Sequence, residues 1–120
     1  MSDLVAFLRA RLAEDEAAAR ASDWGEPWSE HRWTFTTGRD RASLDLNTRV
    51  ARHIVRWDPP RVLADVAAKR AVLALWEHED GRRAECAEFS DRAELMDDVL
   101  LALAQPYAGH PEFDPAWRLA

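Results

Sequence analysis

Two histidines and an aspartate are the residues whose types could support metal or acid–base chemistry. His53 lies five residues before Asp58, and His110 lies three residues after Tyr107. A metal site would need both imidazoles to converge on a carboxylate such as Asp58, yet no compact ligand pattern such as H-E-x-x-H is present. A neutral histidine bonded to a backbone carbonyl is the simpler interpretation of His53, so we expect no bound metal. A metal-dependent enzyme using His53 and His110 is kept as a second alternative. The candidate polar pocket consists of His53, Asp58, Tyr107 and His110.

The rest of the sequence contains no pattern typical of an enzyme. Cys86 is the single cysteine, and His78 lies eight residues away across Gly81, a spacing that defines no geometry for a nucleophile and its base. A glycine-rich phosphate loop, a G-x-S-x-G elbow and an H-E-x-x-H motif are absent from the sequence. We therefore predict a non-enzymatic protein, without catalytic residues and without a cofactor.

Binding chemistry is concentrated in a basic middle segment. Basic and acidic residues number 3 and 7 in residues 1–30, 7 and 3 in residues 31–61, and 6 and 12 in the remainder. Because arginine forks suit carboxylates and phosphates alike, the surface from Arg39 to Arg61 could bind an acidic protein or nucleic acid. The alternative is that these arginines pair with acidic segments of the same chain. The candidate interaction surface consists of Arg49, Arg52, Arg56, Arg61, Trp24 and Trp28.

The two tryptophans belong to that surface because of where they lie. Trp24 and Trp28 flank Gly25 and Pro27, in a segment without helical or strand periodicity. Tryptophans exposed on loops are typical interface anchors, whereas packing over a neighbouring element is the alternative. We expect a protein partner or self-association, with nucleic acid as the weaker possibility and no membrane partner.

Hydrophobic periodicity divides the chain into helices and one β-hairpin. Apolar and polar residues alternate on both sides of a turn at 38–41, which predicts the hairpin. Asp58 followed by Pro59 predicts a helix start, because aspartate caps a helix and proline fits its first position. We predict an α+β fold in which the hairpin packs against about four helices, with an aromatic C-terminal arm. The predicted elements form one compact domain of residues 1–120: a helix at 3–21, the hairpin at 33–47, helices at 48–57, 59–80 and 90–105, and the arm at 106–120.

The same periodicity predicts which side chains are buried. An apolar face of the helix at 48–57 should contain Val50, His53, Ile54 and Trp57. Ser90 should cap the last long helix, with Asp97 and Asp98 exposed to water. The predicted core consists of Leu8, Leu12, Trp33, Phe35, Leu44, Ile54, Val62, Val66, Leu73, Leu95, Val99, Leu103 and Trp117.

Two motifs resemble a known family. The first is H-x-x-x-x-D-P-x-R-V-L, from His53 to Leu63, and the second is P-Y-x-x-H-P-x-F, from Pro106 to Phe113. In this order they resemble a domain of unknown function found in short actinobacterial and actinophage proteins. The chain departs from that pattern in two places: Gln105 is inserted before the Pro-Tyr pair, and Trp24 and Glu26 interrupt a Pro-Gly-Pro-Trp sequence. The resemblance implies an actinobacterial or phage origin and no activity.

Composition limits the remaining classes of protein. The 120 residues carry a formal net charge of -6, which argues against a surface built throughout to coat nucleic acid. One cysteine cannot form an internal disulfide, and no segment approaches the roughly 18 apolar residues of a membrane helix, so we expect a cytoplasmic protein. These observations together predict a small accessory or interaction protein.

Overall fold

The computed structural model describes residues 1–23, 34–37, 40–43 and 48–120. Two single 3₁₀ turns follow the last α-helix, at Gln105–Tyr107 and Pro115–Trp117. The longer elements are α1 (Ser2–Ala21), β1 (Thr34–Thr37), β2 (Asp40–Ser43), α2 (Thr48–Arg56), α3 (Pro59–Arg82) and α4 (Ala87–Ala104). None of the helices among these residues is long and apolar enough to cross a membrane.

The predicted α+β class is wrong, because the fold is helical. Every described apolar residue that is buried lies on one of the four α-helices or in the segment after α4. Among the described elements, β1 and β2 pair only with each other, over four residues each. Local alternation of polar and apolar residues predicted this pairing, but two short strands do not determine the class of a fold that four helices build.

The strand pair lies within the hairpin predicted at 33–47. Phe35 is opposite Ala42, and Thr37 is opposite Asp40, so β2 begins inside the predicted turn at 38–41. The burial predicted for Trp33, Phe35 and Leu44 stays a prediction, because Trp33, Leu44 and the side chain of Phe35 lie outside what the structure describes.

Residue contacts divide the chain into two compact units. The first contains Met1–Glu14 with Val66–Ala120, and the second contains Asp15–Asp65. Each unit is built from part of α1 and part of α3 together with elements of its own. The single compact domain over residues 1–120 stays a prediction.

Apolar residues of α1 form the centre of the first unit. Leu4, Leu8 and Leu12 recur every four residues, which places them on one face of the helix, and all three are fully buried. Leu100 of α4 is equally buried. Burial of a leucine side chain stabilises a fold by about 1.5–3 kcal/mol, so this face accounts for much of the stability of the unit.

The predicted core is correct for the first unit except at one position on α4. Leu95 is 64% exposed, although its spacing matches the apolar stripe, whereas Ala93 and Leu100 are fully buried. The inward face of α4 is therefore rotated toward Ala93. The other predicted core residues of this unit are buried or half-buried: Leu8, Leu12, Val66, Leu73, Val99, Leu103 and Trp117.

Polar bonds join α3 to α4 within the first unit. Trp76 Nε1 donates to Asp97 Oδ1 at 2.7 Å, and Arg83 donates to both Asp97 oxygens at 2.9 and 2.8 Å. The prediction that Asp97 is only a solvated residue is therefore wrong. Hydrogen bonding to the Asp97 carboxylate raises the pKa of Arg83, and the bond to Asp80 adds to the effect.

The start of α4 also differs from the prediction. The helix begins at Ala87, with Cys86 as the N-terminal cap residue and no side-chain capping bond, so Ser90 lies inside the helix. Residues 83–85 form the turn before it. Ser90 fits a capping consensus, but Ala87 and Glu88 are also good helix formers, and the helix extends back through them.

Hydrogen bonds hold the C-terminal segment. Gln105 Nε2 donates to the carbonyls of Leu101 at 2.8 Å and Trp117 at 2.9 Å, and the Leu119 amide donates to Gln105 Oε1 at 3.3 Å. Asp114 caps the last 3₁₀ turn by accepting from the Ala116 amide at 2.8 Å, as the Asp-Pro pair predicted. Through these bonds Gln105 connects the end of α4 with residues 117–119.

Candidate functional site

The exposed side of α2 is the part of the second unit that matches the predicted interaction surface. Val50 is 47% exposed and Trp57, directly after the helix, is 46% exposed, so the apolar face predicted for burial is largely at the surface. His53 is also exposed, and Ile54 is half-buried. Ala51 of α2 is fully buried, although the apolar periodicity of the sequence did not identify its small side chain as a core residue.

Exposed arginines lie on the same helix and just after it. Arg49, Arg52 and Arg56 are exposed along α2, and Arg61 is exposed in the first turn of α3. The guanidinium carbon of Arg61 lies 4.4 Å from the centroid of the Trp57 ring, within the range of a cation–π contact. We call Val50, Trp57 and the four arginines the α2 face.

Asp58 has a structural role beside that face. The backbone N–H of Arg61 donates to Asp58 Oδ1 at 3.2 Å, which caps α3 at its first residue, Pro59. Because the capping bond orients the first turn of α3, Asp58 fixes the direction in which Arg61 leaves the helix. Asp58 therefore supports the α2 face.

The remaining predicted surface residues cannot be placed. Trp24 and Trp28 lie outside the residues that the structure describes, as does Arg39 at the start of the proposed basic surface. The surface is therefore defined by its helical members alone.

The four residues of the candidate polar pocket belong to different units. His53 and Asp58 are in the second unit, where the His53 ring lies 6.5 Å from the Trp57 ring. Tyr107 and His110 are in the first unit. A shared pocket of these residues stays a prediction, and within the described part of the chain no group of three or more histidine, cysteine, aspartate or glutamate residues could hold a metal ion.

His110 instead takes part in a cluster around a buried arginine in the first unit. Arg11 of α1 is only 5% exposed and donates to the His110 imidazole. Its guanidinium also pairs with Glu14 at 2.9 Å and with Glu112 at 3.2 Å. The two carboxylates, together with the imidazole acceptor, compensate much of the cost of burying this charge.

Aromatic rings form the apolar side of the same cluster. The guanidinium of Arg11 lies 5.2 Å from the Phe7 ring, one turn earlier on α1. The Phe7 ring is in turn 5.8 Å from His110, 5.9 Å from Phe113 and 5.2 Å from Trp117. We call this group the Arg11 cluster. The two terminal guanidinium nitrogens of Arg11 bond to His110, Glu14 and Glu112, whereas the buried Nε has no hydrogen-bond partner among the described residues. These bonds attach the C-terminal segment to α1.

Comparison with models of protein families identifies the family of the chain. Residues 1–119 match the model of a family of unknown function, DUF6221. The chain belongs to this family. No curated protein and no solved structure is significantly similar to it. The DUF6221 match covers nearly the whole chain and confirms the expectation of a family without an assigned activity.

Sequence reasoning missed the structural importance of Arg11 and Asp97. Arg11 follows Leu8 by three residues and precedes Leu12, so it lies on the apolar stripe of α1, and that position was the available signal. A charged residue on such a stripe needs a buried partner, but nothing in the sequence indicates that the partner is His110. Asp97 carried no comparable signal, because its partners are distant in the sequence: Trp76 lies on α3 and Arg83 directly after it.

Proposed function

We propose that this DUF6221 protein is a non-enzymatic interaction protein that binds an acidic protein partner through the α2 face. The observation that carries the proposal is the exposure of Trp57, nearly half of whose surface is accessible, beside exposed arginines. Tryptophan and arginine are the residue types that contribute most often to binding energy in protein interfaces. A partner that covers Trp57 would bury its apolar surface and meet the arginines with carboxylates.

Apolar exposure supports a protein partner over nucleic acid. The net charge of -6 repels an acidic protein and a phosphate backbone alike, so it does not distinguish the two. Exposed Val50 adds apolar area that a protein side chain can cover and that a phosphate cannot. Nucleic acid at the surface from Arg39 to Arg61 is the alternative that the test below separates.

The proposal also covers the source organism and the cellular compartment of the protein. The motifs from His53 to Leu63 and from Pro106 to Phe113 support an accessory protein of an actinobacterium or its phage, and a single cysteine is compatible with the cytoplasm. A second copy of the chain is one acidic partner that composition offers, since residues 1–30 contain seven acidic and three basic residues. Self-association is therefore included in the proposal.

The proposal is tested by titrating the protein with three fluorescein-labelled probes at low and moderate salt. The probes are a short peptide of aspartate and glutamate with one central phenylalanine, a duplex DNA and a single-stranded RNA. We expect saturable binding of the peptide, weaker at higher salt, and little binding of either nucleic acid. Arg49→Glu should weaken peptide binding about tenfold, because charge reversal replaces attraction by repulsion.

Arg92→Glu is the matched control, since Arg92 is an exposed arginine of α4 in the other unit. It should leave the affinity for the peptide unchanged. Failure of the peptide to bind, or equal losses in the two variants, would overturn the proposal. Preferential binding of DNA or RNA that Arg49→Glu abolishes would assign the face to nucleic acid.

A further inference from the structure

A groove lies beside Trp57 within the second unit. It has a volume of about 210 Å³ and passes between the C-terminal half of α1 and the start of α3. Trp57 therefore borders both the groove and the α2 face. Residues that line the groove include Asp15, Ala18, Ala19, Trp57, Pro59 and Val62.

The walls of the groove are mainly apolar. Ala19 and Pro59 are buried, Val62 is half-buried, and the ring of Trp57 lines one side. A cavity of about 150 Å³ with apolar walls is large enough to hold a benzene molecule. The groove thus has room for one large apolar side chain, with Asp15 among its few polar lining residues.

Positive charge next to the groove restricts which kind of partner segment could insert that side chain. Arg61 stacks on Trp57, which lines the groove, so its guanidinium lies beside the groove. Carboxylates that flank an apolar anchor would meet this arginine, whereas basic flanking residues would be repelled. The charge next to the groove therefore favours an anchor within an acidic segment.

We infer that the groove receives a single large apolar side chain from the acidic segment that binds the α2 face. This inference rests on the proposed function and adds a specificity determinant to it. Charge on the α2 face attracts the partner, and the groove selects partners with an aromatic or large aliphatic residue among their acidic residues. Binding would bury that side chain against Trp57 and Val62.

Two acidic peptides test the inference. One carries a central phenylalanine, and the other has alanine in its place. The phenylalanine peptide should bind at least about tenfold more tightly, since burial of an aromatic side chain contributes more than the 1.4 kcal/mol that a tenfold change requires. Ala18→Leu, which places a larger side chain at an exposed position of α1 that lines the groove, should remove this preference.

Ala17→Leu is the matched control, because Ala17 is an exposed neighbour that does not line the groove. It should keep the preference for the phenylalanine peptide. Equal affinity of the native chain for both peptides would overturn the groove inference and leave the proposed function in place. Persistence of the preference in Ala18→Leu would also overturn it, whereas failure of both peptides to bind would overturn the proposed function itself.

Discussion

Arg11 and Arg61 both place a guanidinium over an aromatic ring, but their surroundings differ. Arg11 lies 5.2 Å from the Phe7 ring, is buried, and bonds to His110, Glu14 and Glu112. Arg61 lies 4.4 Å from the Trp57 ring and is exposed. A guanidinium over an aromatic ring is thus buried in the first unit and exposed in the second.

This difference separates arginines that stabilise the fold from arginines that can bind a partner. A guanidinium that is desolvated and surrounded by acceptors contributes to holding its segment in place, and it is unavailable to a ligand. An exposed guanidinium contributes little to stability, because water and salt screen it, yet it can bind a carboxylate when a partner excludes water. Substitutions in the two regions should therefore affect different measurements.

Removal of the ring beneath Arg11 should have the largest effect on stability. Phe7→Ala should lower the free energy of unfolding by about 3–5 kcal/mol, because it opens a cavity among Phe113, Trp117 and His110. Urea unfolding followed by circular dichroism measures this change. Phe89→Ala is the control, since half-buried Phe89 also lies beneath an arginine, Arg82 at 3.6 Å, and should cost about 1 kcal/mol. Equal losses of stability in Phe7→Ala and Phe89→Ala would contradict the distinction between the buried and the exposed contact.

Asp97 offers an intermediate case, in which a carboxylate joins two helices. Asp97→Ala should destabilise the chain by about 1–3 kcal/mol, because it leaves the nearly buried indole N–H of Trp76 without its acceptor. Asp98→Ala, at the exposed adjacent position, should change stability by no more than about 0.5 kcal/mol. Thermal unfolding of both variants checks the difference, and a loss at Asp98 as large as that at Asp97 would contradict it.

A smaller effect is expected at the end of the chain. Gln105→Ala removes bonds to the Trp117 carbonyl and the Leu119 amide, so the last residues should lose protection while the rest of the first unit keeps it. Hydrogen exchange measured by mass spectrometry would detect the change. The cost to global stability should be about 1 kcal/mol. Unchanged exchange at residues 117–120 would show that Gln105 does not hold the segment.

Local rules predicted much of the helical structure. Asp58 and Pro59 are adjacent in the sequence, and their capping chemistry acts within one helical turn. The start of α3 was therefore predicted correctly, at Pro59. Leu8 and Leu12 were correctly assigned to the core because their spacing matches one turn of a helix. Asp114 was predicted by the same capping logic.

Properties that depend on distant residues could not be predicted. Arg11 is buried because a segment 99 residues away covers it, and no local pattern encodes that distance. The face of α2 was assigned wrongly because periodicity identifies an apolar stripe without saying whether another element covers it, and Val50 is exposed. The α+β class was wrong for a related reason, since strand pairing between neighbours does not determine which elements build the core.

The division between a buried and an exposed arginine is tested most directly by urea unfolding of Arg11→Ala and Arg61→Ala side by side. We predict a loss of about 2–4 kcal/mol for Arg11→Ala, because its buried stem and its contact with Phe7 are removed together. Arg61→Ala should lose less than about 1 kcal/mol. Equal losses, or a larger loss for Arg61→Ala, would contradict the account.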